Sequence, residues 1–163
     1  MFVAAEAMRI TLTDRYWETK SLGEMTAEEW EALCDGCGKC CLMLLEDEDT
    51  GDVWETDVAC KLFDQGCRAC SDYANRQKHV PGCVQLSADN IEELRWMPKS
   101  CAYRRLAEGR GLAHWHPLVS GERDSVARAG KAVRLPLARE QDVDMRDLED
   151  HVVTRRLSGK DLK

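Results

Sequence analysis

Hydrophobic and polar positions alternate over short intervals along the chain, which predicts short elements instead of long helices. Thr26 and Glu29 form the S/T-x-x-E pattern of a helix-capping box. Apolar Trp30 and Leu33 follow at helical spacing, so we expect a two-turn helix over residues 26–34. This helix would deliver the first cysteine of the chain into the following loop, whose two glycines, Gly36 and Gly38, allow tight turns with positive φ.

Two apolar runs on either side of an acidic segment predict a β-hairpin. Residues 42–45 and 53–56 are the expected strands, and residues 49–52 are the expected turn. A calcium loop over the same acidic residues is disfavoured, because the glycine stands one place too early and no glutamate closes the loop. We therefore expect a solvated turn.

Further short elements are predicted in the rest of the chain, each from an apolar pattern bounded by a cap or a breaker. Residues 1–25 are interpreted as a frayed start followed by a short amphipathic segment, and residues 57–87 as irregular. The expected elements are a short helix from Ser87–Asn90 that ends before Pro98, a helix over Lys99–Glu108 closed by Gly109, a strand over Ala132–Leu137 and an amphipathic helix over Asp144–Val153.

Cysteine is the residue type that departs most from ordinary composition. The chain has 163 residues and nine cysteines, all of which lie between residues 34 and 101. An odd number of cysteines, and a beginning without a basic and apolar export pattern, count against a secreted disulfide scaffold. We therefore expect a cytoplasmic protein whose clustered thiols are ligands for a metal.

The spacing of the first cysteines strengthens the metal hypothesis. Cys34, Cys37 and Cys40 form C-x-x-C-x-x-C, which suits both tetrahedral zinc and cysteine-held iron–sulfur clusters. Because Cys41 follows directly, neighbouring thiols point to different sides of the backbone, and two centres or one bridged binuclear centre are expected. Cys101 is expected to be spare, since it begins a helix away from the other thiols. The expected metal ligands are Cys34, Cys37, Cys40, Cys41, Cys60, Cys67, Cys70 and Cys83.

These patterns together predict the fold class and the cofactor. We expect an α+β fold, a small irregular single domain over residues 1–163 with short helices and a hairpin organised around a cysteine-ligated metal centre. The cysteine cluster occupies residues 34–101, and a helical and strand part follows over residues 102–155. Iron–sulfur is favoured narrowly over zinc, because C-x-x-C-x-x-C with a distant fourth thiol suits a four-iron cluster.

Histidines are the other candidate ligands. His114 and His116 would share one face of an extended segment and could complete a metal site, but hydrogen bonding within a loop is the favoured interpretation. His79 lies near Cys83 in sequence and is a better outside candidate. His151 is expected to be solvated on the last helix.

Composition and charge exclude several classes of protein. The chain is 44% hydrophobic and 33% charged, with a net charge of −7, so it is globular and a poor general binder of nucleic acid or of an anionic membrane. No apolar run approaches the roughly 20 residues needed to cross a bilayer. Residues 1–50 hold 4 basic and 12 acidic side chains, whereas residues 102–163 hold 13 basic and 10 acidic ones. The mildly basic last third is interpreted as a solvated face.

The octapeptide Cys34–Cys41 resembles the marker motif of the bacterial YcgN-like branch of the YkgJ-type CxxCxxCC proteins. The resemblance covers residues 15–155 and implies zinc or iron chelation, without implying a particular reaction. One departure is that the family usually has C-x-C where this chain has Cys67-Arg-Ala-Cys70. The other matching segments are Trp30–Cys34, Asp47–Gly51, Val58–Cys60, Asp72–Tyr73, Val80–Cys83, Trp96–Pro98, Cys101–Arg104 and Trp115–Leu118.

Three functional hypotheses follow. The first is a metal-chelating protein that holds iron–sulfur or zinc through thiolates. The second is a redox or protein-modification enzyme, or its accessory, that uses an iron–sulfur cluster; the related cysteine cluster of flagellin lysine methylases implies this alternative. The third is a zinc-stabilised interaction module whose basic C-terminal third meets an acidic protein partner. Whether the chain is an enzyme is left open by the sequence.

Overall fold

The computed structural model describes residues 15–91 and 96–162, and within them short helices and short strands confirm the predicted α+β class. The described residues form six α-helices and six strands, numbered in chain order, together with several 3-10 turns. The helices are α1 Tyr16–Thr19, α2 Ala27–Ala32, α3 Arg76–His79, α4 Ala102–Ala107, α5 Pro117–Ser120 and α6 Ser125–Arg128. The strands are β1 Leu42–Glu46, β2 Val53–Ala59, β3 Phe63–Asp64, β4 Ala69–Cys70, β5 Ala138–Arg139 and β6 Val152–Leu157.

The backbone groups into two compact units, each assembled from separate stretches of chain. The first unit comprises the described residues within Met1–Cys37, Leu86–Leu94 and Pro98–Ala132. The second comprises those within Gly38–Gln85, Arg95–Met97 and Val133–Lys163. The predicted single domain over residues 1–163 stays a prediction.

In the first unit, helix α2 begins where the capping pattern predicts. The Glu29 N–H donates to Thr26 Oγ1 at 3.2 Å, and the Thr26 N–H donates to the Glu29 carboxylate at 2.9 Å, so both halves of the box form. The Tyr103 hydroxyl of α4 donates to the Trp30 carbonyl at 2.7 Å and ties the two helices together. Helix α2 ends at Ala32, and the next residue, Leu33, is fully buried.

Strands β1 and β2 of the second unit form the predicted antiparallel hairpin, with Leu45 opposite Trp54. Its turn is held by the Asp47 carboxylate, which accepts the N–H groups of Asp49 and Thr50 at 2.9 and 3.0 Å. Strand β2 also pairs with β6 in antiparallel fashion and with β5 in parallel fashion. Val58 of β2 is buried in the core of this sheet, and Cys60 directly follows the end of β2.

Two predictions for the C-terminal part need correction. The strand expected over Ala132–Leu137 is wrong, because the strand is only Ala138–Arg139; Pro136 has no N–H to continue a ladder. The helix expected over Asp144–Val153 is a 3-10 helix, Met145–His151, that begins after Asp144. It gives way to β6, whose first residues Val152, Val153 and Thr154 are β-branched and favour a strand.

The helix predicted over Lys99–Glu108 is observed as α4, which starts later, after Cys101 as its N-cap, and is followed by Gly109 with φ +73°. The helix expected after Ser87–Asn90 runs into residues 92–95, which lie outside the described residues. Residues 1–14 of the segment 1–25, predicted to begin with a frayed start, also lie outside them. None of the described helices is long and apolar enough to span a bilayer.

Candidate metal centre

All nine cysteines lie within the described residues and are thiols. The first unit contains Cys34, Cys37 and Cys101. Cys34 leaves the end of α2, and the turn between Cys34 and Cys37 is made by Gly36 with φ +73°, a conformation that favours glycine. Cys37 and Cys101 are both 7% exposed, while Cys34 has a solvent-exposed surface. The predicted positive-φ turn is confirmed.

The thiol of Cys101 lies within electrostatic range of Cys34. Surrounding protein atoms raise the pKa of Cys34 to about 11, and the negative charges of Asp35, Cys101 and Glu31 add to that effect. Part of the Cys34 surface is nevertheless exposed to solvent. Cys101 is therefore close enough to Cys34 to be considered with it.

Backbone N–H groups lie beside both of these sulfur atoms. The Gly36 N–H lowers the pKa of Cys34 in part, and the Arg104 and Tyr103 N–H groups at the start of α4 do the same for Cys101. Neither α4 group completes a hydrogen bond to the Cys101 side chain. Burial dominates and raises the pKa of Cys101 above its usual value. The sequence analysis excluded Cys101 from the expected ligands. Its position at the start of a predicted helix was the one feature of the sequence that could have indicated backbone N–H groups beside its sulfur.

A buried carboxylate lies among the thiols of the first unit. Asp35 is 7% exposed, and its Oδ1 accepts the Cys37 N–H at 3.1 Å. Its charge raises the pKa of both Cys34 and Cys101, though less than burial does. Two thiolates beside a carboxylate would repel one another, and a bound cation would remove that repulsion.

His116 is a positioning residue for this loop. It is 2% exposed, and its Nδ1 accepts the Leu118 N–H at 3.0 Å. Its Nε2 lies 2.8 Å from the Leu33 carbonyl, which can only accept, so Nε2 carries the proton. Burial lowers the pKa of His116, in keeping with a neutral ring. Both nitrogens are occupied, so His116 holds the residue before Cys34 in place and has no nitrogen left for a metal.

The second unit contains the other six cysteines, and Cys60 lies within electrostatic range of two of them. Cys60 follows β2, Cys70 ends β4, and Cys83 follows α3. Burial raises the pKa of Cys60, the Leu62 N–H opposes that rise, and the charges of Glu140, Cys83 and Cys70 add to it. Cys60 is therefore within electrostatic range of two thiols from other stretches of backbone, Cys70 and Cys83.

The octapeptide is joined to this group through its backbone. Cys41 belongs to the 3-10 turn Lys39–Cys41, and its carbonyl accepts the Cys60 N–H at 2.7 Å. Gly38, with φ +79°, precedes the turn, and a Cβ there would lie 3.0 Å from Phe63 Cζ and from Val133 Cγ2. Only glycine fits this position without strain, so Gly38 is required by the packing as well as by the turn.

The remaining candidates occupy more exposed positions. Cys40 and Cys67 are exposed, and the additional residue of the Cys67–Cys70 segment, Arg68, has φ +52° in the β3–β4 connection. His79 Nε2 lies 3.1 Å from Asp72 Oδ2. Exposed His114 contacts the Trp115 ring edge-on. His151 differs from its prediction: it is half-buried, and its Nδ1 lies 2.8 Å from Asp57 Oδ1.

Within residues 15–91 and 96–162, no three His, Cys, Asp or Glu side chains already stand in the geometry of a metal site. The structure instead brings thiols together in two groups, Cys34 with Cys101 and Cys60 with Cys70 and Cys83. Thiolate sulfur is the ligand type that zinc and iron–sulfur clusters prefer, so the donor chemistry fits a metal even though the geometry is incomplete.

Comparison with known proteins places this arrangement in a family. The CxxCxxCC family, described as "Putative zinc- or iron-chelating domain", matches residues 33–102. A UPF0260 protein of Caulobacter sp. (strain K31) is 58% identical over 125 residues, which cover 77% of this chain and 77% of that protein. A UPF0260 protein of Parvibaculum lavamentivorans is 54% identical over 139 residues, which cover 85% of this chain and 91% of that protein.

A third relative, a UPF0260 protein of Nitrobacter hamburgensis, is 51% identical over 138 residues, which cover 84% of this chain and 81% of that protein. No solved structure matches the chain. The family description supports metal chelation, as the cysteine pattern predicts, and it names zinc and iron without choosing between them. The chain belongs to the UPF0260 family of CxxCxxCC proteins, which confirms the resemblance seen in its motif.

Proposed function

We propose that this protein chelates a metal through cysteine thiolates and that the bound metal is an iron–sulfur cluster, with zinc as the alternative. The observation that carries the proposal is that Cys60 lies within electrostatic range of Cys70 and Cys83, although the three thiols come from separate stretches of chain. The proposed ligands are Cys34, Cys37, Cys40, Cys41, Cys60, Cys67, Cys70 and Cys83.

Weak local structure between residues 57 and 87 supports a role for the metal in folding. After β2 this stretch contains two strands of two residues each and a helix of four residues, Arg76–His79. Elements this short bury little apolar surface, so they need another source of order. Thiolate ligation would supply it, because the binding free energy of a structural metal also stabilises the fold.

Hydrogen-bond donors beside the sulfur atoms support thiolate ligation. Backbone N–H groups of Gly36 and Leu62 favour the ionised forms of Cys34 and Cys60, against the larger effect of burial. A metal cation would reverse the effect of burial, since it stabilises the thiolate directly. The sulfurs are therefore in surroundings that become favourable to thiolates once a cation is present.

The choice between iron–sulfur and zinc rests on the C-x-x-C-x-x-C spacing and a distant fourth thiol, which suit a four-iron cluster. Anaerobic purification followed by elemental analysis and an absorption spectrum tests it. Iron, inorganic sulfide and a broad band near roughly 400 nm are expected for the cluster. Zinc in a colourless protein would contradict iron–sulfur while keeping chelation, and a metal-free folded protein would contradict both.

Matched variants test the ligand assignment. Cys60→Ser should lower the metal bound per chain, because a serine hydroxyl is a poor ligand for zinc or iron–sulfur. Ser71→Ala, at an exposed position beside Cys70, should leave the metal content unchanged. Equal metal content in both variants would remove Cys60 from the proposed ligands. Cys101→Ser tests in the same way whether the thiol near Cys34 is also a metal ligand.

A further inference from the structure

Strand β6 holds one deeply buried cation against the cysteine octapeptide. The side chain of Arg156 is 3% exposed. Its Nε and Nη2 donate to Glu55 Oε2 at 3.0 and 2.9 Å, which pairs its charge with a carboxylate of β2. Nη2 also donates to the Lys39 carbonyl at 3.0 Å. Two of its three nitrogens therefore hold Arg156 in place, and Nη2 connects it to the turn Lys39–Cys41.

The third nitrogen of this guanidinium is the unusual one. Within the described part of the chain, Nη1 of Arg156 is buried and has no hydrogen-bond partner. Buried polar groups in folded proteins are almost always hydrogen-bonded, so an orphaned N–H at a candidate metal site indicates a missing acceptor. Glu55 and Lys39 accept from the other nitrogens. The missing acceptor must therefore be a further group near Nη1.

The position of Nη1 limits which groups can accept its hydrogen bond. Nη1 and Nη2 share one carbon atom, so Nη1 lies next to the nitrogen that contacts Lys39, at the start of the turn that carries Cys40 and Cys41. The atom has no access to solvent, which excludes a large ligand arriving from outside. An anionic sulfur formed at this turn would meet the N–H in a dry environment, where a charge-assisted hydrogen bond is strong.

We propose that Arg156 is a positioning residue for the metal centre, whose Nη1 donates a hydrogen bond to the metal-bound thiolate of the turn Lys39–Cys41. The proposal rests on the proposed chelating function. The positive guanidinium of Arg156 would offset part of the negative charge that accumulates when several thiolates bind one metal. Hydrogen bonds from surrounding groups also orient and stabilise metal ligands. Arg156 lies outside residues 33–102, which the family description covers.

A buried water that bridges Nη1 to another polar group is the competing explanation. Such a water would satisfy Nη1 equally with and without metal, so the Nη1 protons would not respond to zinc. A hydrogen bond to a metal-bound thiolate exists only in the loaded protein, so it must increase the affinity for metal and change the Nη1 proton signals. The two explanations therefore differ in how the Nη1 protons respond to zinc.

Zinc titration of the full metal-free chain, in competition with a chromophoric chelator, tests the proposal. Arg156→Lys keeps a cation opposite Glu55 but lacks the second arm of the fork, and its zinc affinity should fall about 10- to 100-fold. The matched control is Arg155→Lys on the same strand, where the native side chain is 53% exposed and lies 3.6 Å from Asp52. This control should bind zinc as tightly as the unaltered chain.

Each outcome separates the two proposals. If the unaltered chain binds no zinc and no iron, the chelating function and the role of Arg156 both fail. If it binds zinc and Arg156→Lys binds equally tightly, chelation stands and the role of Arg156 is overturned. If Arg156→Lys does not fold, guanidinium NMR of the unaltered chain decides: zinc should shift and protect the Arg156 Nη protons, and unchanged signals would overturn the proposal.

Discussion

Replacement of Gly38 by alanine is the sharpest test of how the octapeptide is built. Gly38 has φ +79°, and the added methyl group would lie 3.0 Å from both Phe63 Cζ and Val133 Cγ2. Gly36 is the matched control, because it has φ +73° and a Cβ there meets nothing within 4 Å. Both substitutions force a left-handed backbone on alanine, and only Gly38→Ala adds a steric overlap.

The expected magnitudes follow from these two contributions. The left-handed conformation costs a non-glycine residue about 1–2 kcal/mol, and this applies to both variants. Overpacking adds about 1 kcal/mol at Gly38, at the low end of its usual range, since Phe63 and Val133 are half-buried and can shift slightly. Gly38→Ala should therefore destabilise the metal-free chain by roughly 2–3 kcal/mol, against about 1–2 kcal/mol for Gly36→Ala.

Urea unfolding followed by tryptophan fluorescence and by far-ultraviolet circular dichroism measures both free energies of unfolding. Equal losses in the two variants would refute the close approach of Phe63 and Val133 to Gly38. A loss in neither variant would refute the left-handed turns themselves. Metal titration of the same proteins then shows whether Gly38→Ala also weakens chelation, as expected if the turn Lys39–Cys41 presents ligands.

Two further predictions concern a titratable group and a close backbone approach. Burial lowers the pKa of His116 below its usual value of roughly 6.5. As the pH falls through that value, the unfolded chain therefore binds a proton at His116 that the folded chain does not bind. The stability that neutral His116 contributes is present above that pH and is lost below it. Urea unfolding at several pH values should show this loss, and His116→Gln, which retains a donor and an acceptor, should reduce the pH dependence; an identical pH profile would contradict it. Gly159→Ala should lower the melting temperature, because the methyl group would overlap the Thr50 carbonyl, whereas Gly82→Ala, where a Cβ meets nothing within 4 Å, should not show that steric loss.

Local patterns were sufficient to predict the elements that depend on nearest neighbours. The capping box of α2 needs only Thr26 and Glu29, and the β1–β2 hairpin needs two apolar runs and an Asp-rich turn. The positive-φ glycines of the octapeptide were predicted for the same reason. These features are decided within a few residues of chain, where the sequence contains the whole interaction.

Strand β6 and the short β5 were not predicted, because they form through pairing with β2, which lies 80 to about 100 residues earlier in the chain. The first two residues of β6, Val152 and Val153, lie at the end of the predicted helix, and only a partner strand reveals that they belong to a sheet. The buried position of Arg156 is a consequence of that pairing. As a sequence position it is one basic residue among many, and its burial beside Lys39 depends entirely on β6.

The sequence by itself determined the class of chemistry, since cysteine number and spacing indicate thiolate chelation wherever the thiols come to lie, and the family relationship agrees. Only the tertiary structure decided which thiols are neighbours: Cys101 beside Cys34, and Cys60 with Cys70 and Cys83. It also decided that His116 is fully hydrogen-bonded. The physical reason is that ligand identity is a property of side chains, whereas proximity depends on long-range packing that no local pattern records.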